Sequence, residues 1–331
     1  MTTINRLRVF ILFAGCCVAP VSSFTNPALA GASKNNVDAT PALQKLQSSD
    51  PKEHRQGAKE LTDLIVNHHV TDLRRDPSIV PSLIQQLGSE TDDSVRPRLI
   101  QALGELRDSA AAPVLEQVIR TSKHRPSRHM AMKALAQVEG SRAIPLLKDV
   151  MEKNPDLMTR FRAAERLGEL GDRSGFALAL KNVQSDSASV QREAAKVLGA
   201  IGDSQAIPVL ENKAQASTNA KGAMEMAVKD IQLRQLGTSG EKLLALKKAL
   251  YSGPAGVYWA AQKLYFMKSK EAGQILLDAA RLKNMSYMSN NYRAQEEAHR
   301  TLIYLYSDNT ESGYANINSM MESGIALDPP E

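Results

Sequence analysis

Cysteine is nearly missing from this 331-residue chain, and the two it has, Cys16 and Cys17, stand side by side near its start. Without that segment the chain has no thiol nucleophile, no disulfide framework and no cysteine metal site. Aromatic residues make up only 5%, while Ala, Leu, Lys, Glu, Gln and Arg abound, a balance that favours helix over sheet. Beyond the N-terminal segment no run of eighteen apolar residues occurs, so no membrane-crossing helix is expected. The 41 Lys and Arg stand against 36 Asp and Glu. They are scattered, with no dense basic block to indicate nucleic acid or an anionic bilayer. Also missing are G-x-S-x-G, H-E-x-x-H, C-x-x-C and the glycine-rich phosphate loops. No catalytic residue, cofactor or enzyme activity is expected.

The first thirty residues read as an address rather than as structure. Arg6 and Arg8 precede the apolar run VFILFAGCCVAPV, Pro20 interrupts it, and Ala28-Leu29-Ala30 offers a small-x-small cleavage pattern. This is the layout of a secretory signal, and cleavage after Ala30 is expected. An exported product, periplasmic or secreted, would then have lost both cysteines, and its net charge would fall from +5 to +3. Leu12-Phe13-Ala14-Gly15-Cys16 also fits a lipobox, which leaves lipidation at Cys16 as the alternative and membrane attachment as its consequence.

What the chain has in quantity is repetition. Residues 160–172 read RFRAAERLGELGD and residues 191–203 read QREAAKVLGAIGD. Leu103, Leu135, Leu167 and Leu198 are spaced by 32, 32 and 31 residues, and Pro81, Pro113 and Pro145 each stand 22 before their leucine. A fixed period of this length marks a solenoid. Val190, Ala194, Val197, Leu198 and Ile201 share one helical face. Gly171 and Gly202 suit the left-handed position after a helix end, and Asp172 and Asp203 can start the following turn. Openings such as Ala206-Ile207-Pro208 place proline in a helix's first turn, where its missing N–H costs nothing. Each period is therefore a helical hairpin that must stack on its neighbours to bury its apolar faces. The glycines read as turn formers.

The pattern AAxxLGxxGD with an Ala-Ile-Pro-x-Leu opening resembles HEAT repeats, in particular the short bilin-lyase-like variety, most specifically over residues 81–216. The resemblance implies an all-α, right-handed solenoid of stacked antiparallel hairpins, about eight in number, whose second helices line a surface used to grip other macromolecules. It does not imply catalysis. Four segments are expected: a signal peptide at 1–30, an N-terminal capping hairpin and linker at 31–76, regular repeats at 77–237, and a divergent, aromatic-rich C-terminal part at 238–331.

In related repeats an arginine opening the second helix pairs with a turn aspartate. Arg96, Arg128 and Arg160, each seven residues before its leucine, and Arg192, one residue out of register, are candidates for such an inter-repeat ladder with Asp92, Asp93, Asp156 and Asp186. A second candidate is aromatic. All eight Tyr and the single Trp lie after residue 250, and Tyr258, Trp259 and Tyr292 are candidates for a partner surface. The alternative is that these larger side chains fill gaps between irregular hairpins. His68, His69, His124 and His129 lack a chelating spacing, so no metal site is expected. The expected function is a non-catalytic, exported scaffold that binds protein partners and no nucleic acid. A lipid-anchored envelope protein docking a membrane or cell-wall complex, and a lyase-like enzyme subunit, are the alternatives.

Overall fold

The computed structural model describes residues 38–66, 73–74, 76–267, 269–280 and 298. Among these residues every regular element is helical. The helices pair in chain order: α1 (Thr40–Leu46) with α2 (Pro51–Val66), α3 (Ile79–Ser89) with α4 (Arg96–Leu106), α5 (Ala112–Thr121) with α6 (Arg125–Glu139), and α7 (Ile144–Lys153) with α8 (Leu157–Glu169). They continue with α9 (Phe176–Asn182) and α10 (Ala188–Ile201), α11 (Ile207–Ala216) and α12 (Lys221–Gln235), and α13 (Ser239–Leu250) and α14 (Pro254–Met267). α15 (Lys270–Ala280) comes next; the second helix expected after it lies outside the described residues, apart from the buried Ala298. Second helices stack on second helices, α2 on α4 and onward to α12. This is an all-α solenoid.

Local chemistry sets the period. α8 ends at Gly171, whose φ of 84° is left-handed, and the Asp172 N–H returns to the Leu167 carbonyl at 2.8 Å. α10 ends likewise at Gly202, with φ 75°. Both are places where a Cβ would strain the backbone. Aspartates then cap the short turns between hairpins: Asp203 accepts from the Gln205 N–H at 2.9 Å and Asp108 from the Ala110 N–H at 2.8 Å. Each capped turn leads into a helix with Pro208 or Pro113 in its first turn. Proline there has no N–H to leave orphaned at the hairpin start.

The repeat leucines Leu103, Leu135, Leu167 and Leu198 are all buried. The glycines that come directly after three of them correct the expectation of a turn role, because they lie inside helices. A Cβ on Gly168 would stand 2.8 Å from the backbone nitrogen of Ile201, and one on Gly199 would stand 3.2 Å from the Cα of Ala227. The Leu-Gly pair thus buries a large side chain on one side and admits the next second helix on the other. Beyond α12 the stacking thins. One buried apolar cluster runs from Ala39 to Ile231, and a second runs from Leu246 to Ala298.

Candidate partner-binding face

The three arginines in register turn out to clamp their own hairpins. Arg96 Nη2 donates to the Glu90 carbonyl, Arg128 Nη1 to the Ser122 carbonyl at 2.9 Å, and Arg160 Nε to the Met151 carbonyl at 2.7 Å. In each case the guanidinium meets the C-terminal end of the preceding helix, where carbonyls lack partners and the helix dipole is negative. In the next repeat the clamp is Gln191, whose Nε2 donates to the Ser185 carbonyl at 2.6 Å. Arg192, the residue expected there, is exposed and reaches only the Asn219 carbonyl at 3.2 Å.

The aspartates do bridge successive hairpins, but to other arginines. Asp92 accepts from Arg55 Nε at 2.7 Å, and Asp156 pairs with Arg125 Nε at 3.2 Å. Hydrogen bonds from Ser94, then the Arg55 guanidinium, hold the Asp92 carboxyl well below its usual range. Asp93 is the one aspartate that meets its expected arginine, Arg96, at 3.4 Å. Asp186 is exposed and forms no ion pair among the described residues.

A polar relay between α6 and α8 has no signature in the sequence. The fully buried Thr159 donates its hydroxyl proton to Asp156 Oδ2 at 2.6 Å. Its oxygen is then left to accept from Arg128 Nη2 at 3.3 Å and from His129 Nε2 at 3.0 Å. That order makes His129 Nε2 the protonated nitrogen of a neutral ring. Burial first, and then the Arg162 charge, lower the His129 pKa to about 4.

Aligning the second helices on their buried apolar pairs places equivalent side chains in columns. One column reads Arg98, Met130, Arg162, Glu193, Met226 and Trp259; a second reads Gln101, Lys133, Glu165, Lys196, Lys229 and Gln262. A third reads Glu105, Gln137, Glu169, Ala200, Leu233 and Phe266. The register is physical. Gln137 Nε2 donates to Glu105 Oε1 at 3.3 Å, and Arg162 joins Glu193 at 2.8 Å, each across one helix-helix step.

The acids on this face are occupied. Glu165 contacts Arg162 at 2.8 Å and Arg166 at 2.9 Å, Glu169 contacts Arg166 at 2.7 Å, and Glu193 also holds Lys196 at 3.0 Å. Burial works to raise Glu165, but Arg166 and Arg162 overcome it and leave its pKa lowered. Burial raises Glu169, with Arg166 opposing and Glu165 adding. Lys133 on α6 and Arg234 on α12 also act to lower Glu169.

The aromatic candidates separate. Tyr258 is 57% exposed, but Trp259 is 4% exposed and its indole N–H donates to Asp230 Oδ1 at 2.7 Å. Trp259 is therefore corrected from a surface residue to a buried one. It faces α12, where Asp230 also binds Lys263 at 2.7 Å and Lys229 Nζ lies 5.9 Å from the ring centre. Phe266, which no sequence pattern singles out, is 64% exposed and packs edge-on against Tyr265. Tyr292 and Cys16 lie outside the described residues.

Comparison with known proteins returns the family model described as HEAT repeats three times, over residues 39–136, 80–166 and 144–229. No curated protein matches the chain. Among solved structures, the CpcE–CpcF complex of phycocyanin lyase from Nostoc aligns at 17% identity and TM-score 0.40, covering 87% of this chain and 95% of that one. An engineered protein aligns at 18% identity and TM-score 0.38, covering 86% and 82%. Human deoxyhypusine hydroxylase in complex with glycerol aligns at 16% identity and TM-score 0.32, covering 67% and 98%. The family matches fall on the same hairpins that carry the glycine ends, proline openings and buried leucines, and together they take in more than half of the sequence: the chain belongs to the HEAT repeat family.

Proposed function

We propose that this chain is an exported, non-catalytic scaffold that holds a protein partner on the face formed by its second helices. The observation that carries this reading is the column arrangement on α4 to α14. Residues of equivalent position recur at each helix, so the face presents polar and apolar groups at regular intervals to something longer than one hairpin. A HEAT solenoid suits such a role. The export part rests on the Arg6 to Ala30 signal pattern. Gly31 is then the first residue of the working protein.

The test is photocrosslinking in cells from two positions on the full-length chain. Gln262 is exposed on the second-helix face and Gln117 is exposed on α5, a first helix. A discrete protein adduct is expected from Gln262 and not from Gln117, on a product whose intact mass begins at Gly31. Equal adducts from both positions, or none from Gln262, would sink the scaffold reading. A mass that retains Cys16 with a lipid would replace free export with anchoring.

A further inference from the structure

The second-helix face has a charge imbalance that names the chemistry of its partner. Its acids Glu105, Glu165, Glu169, Glu193 and Asp230 are each engaged by a neighbouring donor. Lys133, Lys229 and Arg234 have no carboxylate within ion-pair distance among the described residues, although Lys229 approaches the Trp259 ring. These three cations sit on α6 and α12. Beside them on the C-terminal helices, Met226 is 37% and Phe266 64% exposed, and Leu233, at the position equivalent to Phe266 on α12, is half-buried. Cations left over where every one of those acids is consumed, next to exposed apolar side chains, describe a surface whose complement is acidic and carries an apolar anchor.

From this we infer that the face binds an extended acidic protein segment, whose carboxylates meet Lys133, Lys229 and Arg234 while an apolar or aromatic side chain seats against Leu233 and Phe266. The inference rests on the scaffold reading and deepens it. Geometry sets the spacing. Lys133 on α6 is three helix-helix steps from Lys229 and Arg234 on α12. With packed helices ~8–10 Å apart and an extended chain advancing ~3.3 Å per residue, acids about eight residues apart match the two ends. Nucleic acid is the other polyanion, but Leu233 and Phe266, at equivalent positions on successive second helices, offer apolar contact rather than a continuous basic track.

The experiment uses the mature protein and a synthetic peptide with one Glu near its start, two more Glu about eight residues on, and one Phe beside that second pair. Its controls are the same peptide with Lys for Glu and a single-stranded oligonucleotide. Binding is read by isothermal titration calorimetry, because Lys229 lies against the ring of Trp259 and its substitution would itself change the tryptophan emission. The Glu peptide is expected to bind and to weaken with salt, and the Lys peptide is not. The triple variant Lys133→Glu, Lys229→Glu, Arg234→Glu is expected to lose about tenfold or more in affinity. Phe266→Ser is expected to weaken binding without changing its salt dependence, and circular dichroism confirms that each variant remains helical.

If the Glu peptide fails to bind while the Gln262 crosslink still captures a protein, the acidic-partner inference is overturned and the scaffold survives. If neither result appears, both fall. Equal or tighter binding of the oligonucleotide would also overturn the inference, in favour of nucleic acid.

Discussion

At the scale of single residues, His129 carries a pH consequence that can be derived from its neighbours. Its ring donates to Thr159, which is committed to Asp156, while Arg162, Arg128 and Arg125 surround it with positive charge. The folded pKa is about 4 against 6.5 for an ordinary histidine. The fold therefore favours the neutral ring, and the unfolded chain takes up the proton first. Stability from this group is fully present above pH 6.5, falls as pH drops toward about 4, and levels off below. Thermal melts at about pH 7 and about pH 5 should show a larger drop in Tm for the native chain than for His129→Gln. Equal drops would mean that the acid sensitivity originates elsewhere.

At the scale of elements, the same residue type does opposite work in two helices. Gly168 lies where α8 meets α10, and Gly88 lies near the end of α3 with nothing within 4 Å of an added Cβ. Gly168→Ala should destabilise by about 1–3 kcal/mol, since the methyl meets backbone that cannot swing away. Gly88→Ala should stabilise by ~0.5–1 kcal/mol through helix propensity alone. Urea midpoints separate the two, and same-sign shifts would contradict the close approach at Gly168.

The contrast between these glycines also marks what was legible. Hairpins, their proline starts and their glycine ends could be read because those signals are local in sequence. The task of the Leu-Gly glycine could not, because it depends on the next helix, thirty residues away. The spacing singles out Arg96, Arg128 and Arg160 as a set, but for a ladder with aspartates, which only Arg96 meets through Asp93. The helix-terminal carbonyls that all three bind have no sequence signature. Gln191 and Arg192 show the same limit. The periodic position decided which one faces the helix end, against the pull of charge type. Tyr258 and Trp259 are adjacent and diverge on the helix. That Trp259 is the inward one depends on the Asp230 carboxylate and the apolar cluster that receive it, neither of which is local in sequence.

At the scale of the whole array, stability in a solenoid is a sum over hairpins and the interfaces between them, so a thin interface is a place where cooperativity can break. The two apolar clusters end at Ile231 and begin again at Leu246. Across that gap Asp230 accepts from Trp259 and from Lys263, each at 2.7 Å. Trp259 belongs to the second cluster, so its emission tracks that cluster while far-ultraviolet circular dichroism tracks both. Urea unfolding read by tryptophan emission should therefore precede the main loss of helix, because among the described residues the second cluster is the smaller and packs more thinly on its neighbour. Asp230→Ala removes the shared acceptor and leaves the indole N–H and the Lys263 ammonium unpaired. It should lower the stability read by tryptophan emission by ~1–3 kcal/mol, seen as a lower urea midpoint, and leave the main helical transition nearly unmoved. Coincident transitions in both proteins would show instead that the clusters unfold as one cooperative block, with Asp230 contributing to all of it.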